Sequence, residues 1–128
     1  MKKIKVVIID DEIEYLNDLA MGLEILGYEA SKAASGSHAI EVIARDRPDI
    51  ILCDYKLDDM DGTEVIAKAE KINPGGIYIM VTAYYDESFD DIFRKAGADE
   101  IVYKPIQLAE LDRLIRKRID GQIREDKG

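Results

Sequence analysis

Short apolar runs alternate with longer helical patterns along this chain, five of each, and four of the runs stop abruptly on a polar group. Val6-Val7-Ile8-Ile9 stops at Asp10-Asp11, and Ile50-Ile51-Leu52-Cys53 stops at Asp54. Ile77-Tyr78-Ile79-Met80-Val81 stops at Thr82, and Ile101-Val102-Tyr103 stops at Lys104-Pro105. Such alternation is the sequence form of repeated βαβ units, which build a parallel sheet covered by helices on both faces. If the runs are neighbouring strands, their polar ends share one sheet edge. In open α/β sheets the crevice beyond the carboxyl ends of the strands is where ligands bind.

The segments between the runs read as helices and turns. After a first strand over Ile4 to Ile9, the residues Ile13, Leu16, Leu19, Ala20, Leu23 and Leu26 recur at spacings of three and four, which makes one apolar stripe ended by Gly27. Tyr28 to Ala33 is a more polar strand, which suits an outer position. A helix from Ser35 to Arg45 is closed by Pro48, and Asp49 to Asp54 follows as a central strand with an unbroken apolar middle. The stretch Asp58-Asp59-Met60-Asp61-Gly62 is a loop. Val65, Ile66, Ala69 and Ile72 mark a third helix, and Asn73-Pro74-Gly75-Gly76 breaks it. Phe89, Ile92, Phe93 and Ala96 mark a fourth helix ended by Gly97, Glu100 to Tyr103 a fifth strand, and Leu108, Leu111, Leu114, Ile115 and Ile119 a fifth helix. Past Asp120-Gly121 the sequence turns polar, so residues 1–120 are expected to form one domain and 121–128 a polar tail or the start of a linker.

Composition narrows the function. At 128 residues, 47% hydrophobic and 35% charged, the chain has the size and balance of one globular domain, and no apolar run approaches the ~20 residues of a membrane span. Met1 to Lys5 is basic, but the apolar stretch behind it ends at Ile9, too soon for a signal peptide. A cytoplasmic location with no membrane partner is expected. Cys53 is the single cysteine and lies inside an apolar run with no adjacent cation, so it reads as a small buried hydrophobe, and the lone His38 reads as a surface residue. A net charge of −9 disfavours direct nucleic-acid binding by this domain. Arg113, Arg116, Lys117 and Arg118 come late in the last helical pattern, where cations complement the helix dipole, and need no nucleic-acid partner.

The polar ends of the strands carry the chemistry. Carboxylates about 4 Å apart repel by roughly 4 kcal/mol per pair at a protein surface, so Asp10, Asp11 and Asp54 in one place call for a divalent cation. Oxygen ligands of this kind suit Mg²⁺, with Mn²⁺ possible. Lys104 and Thr82 would be superfluous in a simple metal store, but an ammonium and a hydroxyl are what the oxygens of a transferred phosphoryl group need. A carboxylate can be the nucleophile of that transfer, giving an acyl phosphate, and Asp54 is single and central. Plainer roles compete: turn or cap residues for Asp10, Asp58 and Asp61, a β-branched strand residue for Thr82, a core aromatic for Tyr103, and a solvated loop charge for Lys104.

The acidic pair Asp10-Asp11, then Asp54, Met60-Asp61-Gly62, Thr82-Ala83 and Lys104-Pro105, in this order and each at or just after a strand end, resembles the response-regulator receiver domain of two-component signalling, over Lys3 to about Ile119. The resemblance implies a flavodoxin-like (βα)5 fold, a doubly wound five-stranded parallel sheet in the order 2-1-3-4-5, with Lys104-Pro105 commonly cis. It implies that Asp54 is the phosphoacceptor, supplied by a histidine kinase or a phosphotransfer protein. Asp11, Asp54 and the backbone carbonyl of Lys56 would bind Mg²⁺, Asp10 through water, while Thr82 and Lys104 grip the phosphoryl oxygens. Tyr103 occupies the aromatic switch position, so helix 4, strand 5 and helix 5 would present the surface for a downstream protein or a self-dimer. Lys56 and Tyr84 lie where the family tunes the lifetime of the phosphorylated state. The chain departs from the pattern at Asp58, where relatives carry a loop-stiffening proline.

By this resemblance the chain is a signalling switch with self-catalysed phosphotransfer and autodephosphorylation rather than a conventional enzyme. Three other readings stand beside it. The chain could be the receiver portion of a longer regulator or hybrid kinase, or a phosphorylation-independent docking module, although the latter usually lacks the acceptor, the acidic pair or the lysine. An aspartyl-phosphate hydrolase would need Asp-x-Asp after the first strand, where this chain has Asp10-Asp11-Glu12.

Overall fold

The computed structural model describes residues 2–127, with side chains to position 121. Strands and helices alternate as β1 (Lys5–Ile9), α1 (Ile13–Ile25), β2 (Glu29–Ala33), α2 (Gly36–Asp46), β3 (Ile50–Asp54), α3 (Gly62–Ile72), β4 (Ile77–Thr82), α4 (Glu87–Ala96), β5 (Glu100–Tyr103) and α5 (Leu108–Lys127). The strands form one sheet in the order β2-β1-β3-β4-β5, and every pairing is parallel. This is the flavodoxin-like arrangement that the resemblance implies.

Because side chains alternate across a strand, the continuous apolar runs supply two cores at once. Val7, Ile9, Ile51, Cys53, Tyr78 and Met80 face the cluster closed by α2, α3 and α4 through Val42, Ile43, Val65, Ile66 and Phe93. Val6, Ile8, Ile50, Leu52, Ile77, Ile79 and Val81 face the other, closed by α1 and α5 through Leu16, Leu23, Leu111 and Ile115. β2, the polar strand, lies at the sheet edge, where only Ala33 is buried. Gly27 and Gly97 take φ of +100° and +117° just past α1 and α4, the left-handed geometry in which glycine ends a helix without strain. No helix among the described residues is long and apolar enough to cross a membrane.

The structure differs from the sequence reading at three places. Ile13 and Ile92 are 54% and 49% exposed, because a stripe drawn through every apolar residue of a helix is wider than the strip of sheet that helix covers. α5 runs on to Lys127, past Gly121, through glutamine, arginine and glutamate residues that favour helix. The late cations therefore stand inside the helix rather than at its end. Arg116 pairs with Asp112 at 3.0 Å, and Arg118 reaches Glu100 at 2.6 Å and the Asp99 carbonyl at 2.9 Å, tying α5 to the start of β5.

Candidate functional site

The strand register levels the polar ends with one another. Ile9 pairs with Cys53, so the positions that follow, Asp10 and Asp54, emerge side by side, while Thr82 pairs with Tyr103 across the next two strands. Gly62 packs directly beneath the end of β3. A Cβ there would lie 2.4 Å from the Asp54 carbonyl oxygen, so only glycine lets the loop close onto that strand end, where its N–H donates to the Tyr55 carbonyl at 2.6 Å.

Asp10, Asp11 and Asp54 each offer a carboxylate oxygen within 4.8 Å of the others. Asp10 is 2% exposed, and both its oxygens are engaged: one accepts from the Glu12 backbone N–H at 2.9 Å, the other from Lys104 Nζ at 3.0 Å. The same ammonium donates to Asp54 at 3.3 Å. Burial lowers the proton affinity of Lys104, but Asp10 and Asp54 outweigh it and hold the ammonium above the usual lysine range. Asp54 goes the other way from an ordinary carboxylate. Burial foremost, with the Asp10 and Asp11 charges, raises its pKa despite the opposing pull of Lys104. Asp11 is raised as well, first by burial and then by the adjacent Asp58 carboxyl. Three close carboxylates with one ammonium leave an excess of negative charge in a partly desolvated place, and an oxygen-seeking divalent cation fits that donor set.

The remaining sequence candidates distribute around this centre. Thr82 is fully buried, and its Oγ1 accepts from the Tyr84 N–H at 3.0 Å. Tyr103 faces α4: its hydroxyl donates to Asp90 at 2.9 Å and its ring stacks on Tyr85 with centroids 5.0 Å apart. Tyr85 in turn donates to the Lys104 carbonyl at 2.6 Å. Lys56 is exposed, pairs with Asp61 at 3.4 Å and lies 4.7 Å from the Tyr55 ring. Lys104-Pro105 is cis. Cys53 is fully buried beside Asp54, with its thiol pushed far above the usual range by burial, and His38 is exposed, both as the sequence implies.

Two contacts escape sequence reasoning. Asp59 accepts from the N–H groups of Gly36 at 2.8 Å and Ser37 at 2.9 Å, so it fastens the loop after β3 onto the amino end of α2. Tyr15 of α1 lays its ring 4.8 Å from Lys104 Nζ. A surface cleft between Pro74–Ile77 and Lys117–Arg118 lies at the opposite edge of the sheet from the carboxylates.

Comparison with known proteins bears on this arrangement. The family model described as response regulator receiver domain matches residues 6–116. Sporulation initiation phosphotransferase F of Bacillus subtilis (strain 168) is 30% identical over 115 residues, covering 88% of this chain and 91% of that protein. The probable transcriptional regulator ycf27 of Porphyridium aerugineum is 33% identical over 123 residues, and there the chain spans 51% of the relative's length. The crystal structure of a CheY-like response regulator receiver domain protein from Methanospirillum hungatei JF-1 superposes with a TM-score of 0.91 at 34% identity, over 97% of this chain and 99% of that one.

Proposed function

Since the chain belongs to the response regulator receiver domain family of two-component signalling, we propose that it is a phosphorylation-driven switch in which Asp54 accepts a phosphoryl group from a histidine kinase or phosphotransfer protein. The observation that carries this reading is Lys104, whose ammonium lies between Asp10 at 3.0 Å and Asp54 at 3.3 Å inside the carboxylate cluster. A cation so placed can follow charge from the carboxylate to the incoming phosphoryl oxygens without reorganising the site.

In the transfer, an Asp54 carboxylate oxygen bonds to phosphorus as the bond from phosphorus to the donor imidazole nitrogen breaks, and the electron pair leaves with that nitrogen. Lys104 and the Thr82 hydroxyl hold the phosphoryl oxygens. Asp11, Asp54 and the Lys56 carbonyl would hold Mg²⁺ (Mn²⁺ possible), with Asp10 acting through water, and the cation when bound offsets the negative charge of carboxylates and phosphoryl group. The site then hydrolyses its own acyl phosphate, the autodephosphorylation that resets a switch.

The phosphoryl group brings nearly two negative charges to Asp54, draws Thr82 toward it and vacates space beside β4 for Tyr103. Moving that ring inward changes the α4-β5-α5 surface offered to a downstream protein or a second copy, and differential affinity between the two states makes the switch. The working domain is residues 1–120, and the place of action the cytoplasm. A second reading, that this is the receiver portion of a longer regulator or hybrid kinase, is favoured by relatives of which the chain spans about half; sequencing the full gene decides it. Borohydride trapping tests the acceptor: after treatment with a small phosphodonor and Mg²⁺, reduction should convert position 54, and no other aspartate, to homoserine. Homoserine elsewhere would overturn the assignment.

A further inference from the structure

Among the described residues Tyr15 stands apart, because its side-chain hydroxyl is buried with no hydrogen-bond partner. An unpaired buried hydroxyl costs stability, so this tyrosine is not held for what its oxygen bonds. Burial raises the pKa of that hydroxyl, and the nearby Lys104 ammonium offsets part of the rise. Its ring does make a defined contact: Lys104 Nζ lies 4.8 Å from the centroid, within cation–π range. Tyr15 therefore meets Lys104 from α1.

We propose that Tyr15 is a positioning residue for Lys104, holding its ammonium over the site by a cation–π contact when the divalent cation takes the carboxylates; this rests on the reading of Asp54 as phosphoacceptor. In the cation-free protein Lys104 is held from three directions, by Asp10, by Asp54 and by the Tyr15 ring. A divalent cation competes for the first two, because it neutralises the same oxygens and repels a neighbouring ammonium. It does not compete for the ring face. The ring thus keeps the ammonium of Lys104, whose side chain is 21% exposed, from swinging to solvent before the phosphoryl group arrives. Asp10 couples the two sides: one oxygen holds Lys104, and the other accepts the Glu12 N–H that leads into α1, three residues ahead of Tyr15.

Two variants and one signal test this. Y15F keeps the ring and discards the orphan hydroxyl, so it should phosphorylate with acetyl phosphate and Mg²⁺ at a rate within about twofold of wild type. Y15L should be slower by about fivefold, the factor that ~1 kcal/mol of cation–π attraction makes. Independently, the Lys104 ε-methylene protons, assigned by their loss in K104R, should be shifted upfield by the ring current in wild type and Y15F, with and without Mg²⁺, and should return to ordinary lysine values in Y15L. A merely structural ring would lower the melting temperature of Y15L but leave its rate per folded molecule unchanged. Unshifted Lys104 protons in wild type, or a wild-type rate in folded Y15L, would overturn the proposal. Should Y15L not fold, the wild-type shift with Mg²⁺ decides alone. Should wild type gain no phosphoryl mass, the Asp54 reading fails, and the lysine signal still decides the ring contact.

Discussion

Replacing Lys104 by methionine keeps most of the aliphatic stem and removes the charge that faces the buried carboxylates. At 3.0 and 3.3 Å and an effective dielectric of about 20, each contact carries roughly 5 kcal/mol of raw attraction, much of it offset by desolvating the ammonium. What decides the outcome is the acid left behind. The Asp10 side chain is 3% exposed, and removing one partner of a buried pair typically costs about 3–5 kcal/mol. Because Lys104 and Asp54 retain 21% and 14% exposure, the loss should fall at the low end, about 3 kcal/mol, or roughly 10 °C in melting temperature for a domain of this size. Thermal melts in chelator measure it. Saturating Mg²⁺ should return part of the loss, and D10N/K104M should recover most of it, since the pair is then removed together. A K104M protein melting within about 2 °C of wild type in chelator would mean that Lys104 is a solvated loop charge and the electrostatic account of the site is wrong.

Other expectations follow from the same geometry. Asp11→Ala should weaken Mg²⁺ binding in calorimetry by about tenfold or more, as loss of a metal-site partner does; unchanged affinity would remove Asp11 from the ligand set. Asp54 and Asp11 sit above the ordinary carboxylate range, Asp54 through burial and Asp11 through burial and Asp58. Folded pKa values above the unfolded ones mean that the folded state holds more protons in that interval, so their contribution to cation-free stability is present below the unfolded value and lost as pH rises through the folded values. Because Mg²⁺ must displace those protons, the melting-temperature gain from Mg²⁺ should shrink from about pH 7 to about pH 4, and an equal gain at both ends would contradict it. Asp90→Ala removes the hydrogen bond that holds Tyr103 outward, so tyrosine resonances should shift toward those of the phosphorylated state before any phosphodonor is added. If they stay put, Asp90 does not restrain the switch.

Some of this was open to inspection in the sequence because it depends on neighbours along the chain. β3 reads as a central strand from Ile50–Cys53, whose unbroken apolar character only a sheet covered on both faces tolerates. Gly27 and Gly97 marked helix ends because few other residues accept a positive φ. Asp10, Asp11, Asp54, Thr82 and Lys104 were legible as strand termini before any distance was known. Contacts between distant segments were not. Asp59 looks like any turn aspartate, and its bonds to Gly36 and Ser37 cross 23 and 22 positions of sequence. Tyr15 looks like one more residue of an amphipathic helix; its packing on Lys104 exists only because α1 and the β5–α5 connection flank the same sheet edge. The polar stretch past Gly121 reads as a tail or linker, yet α5 is carried through it.

The central claim is that the cluster at this sheet edge directs a phosphoryl group onto Asp54. Intact mass measured after incubation with acetyl phosphate tests it most directly, in four arms: wild type and D54N, each with Mg²⁺ and with chelator. The account predicts the mass of one added phosphoryl group on wild type with Mg²⁺, little or none in chelator, and none at the primary site of D54N in either condition. An undiminished yield on D54N, or a yield on wild type indifferent to the metal, would contradict it.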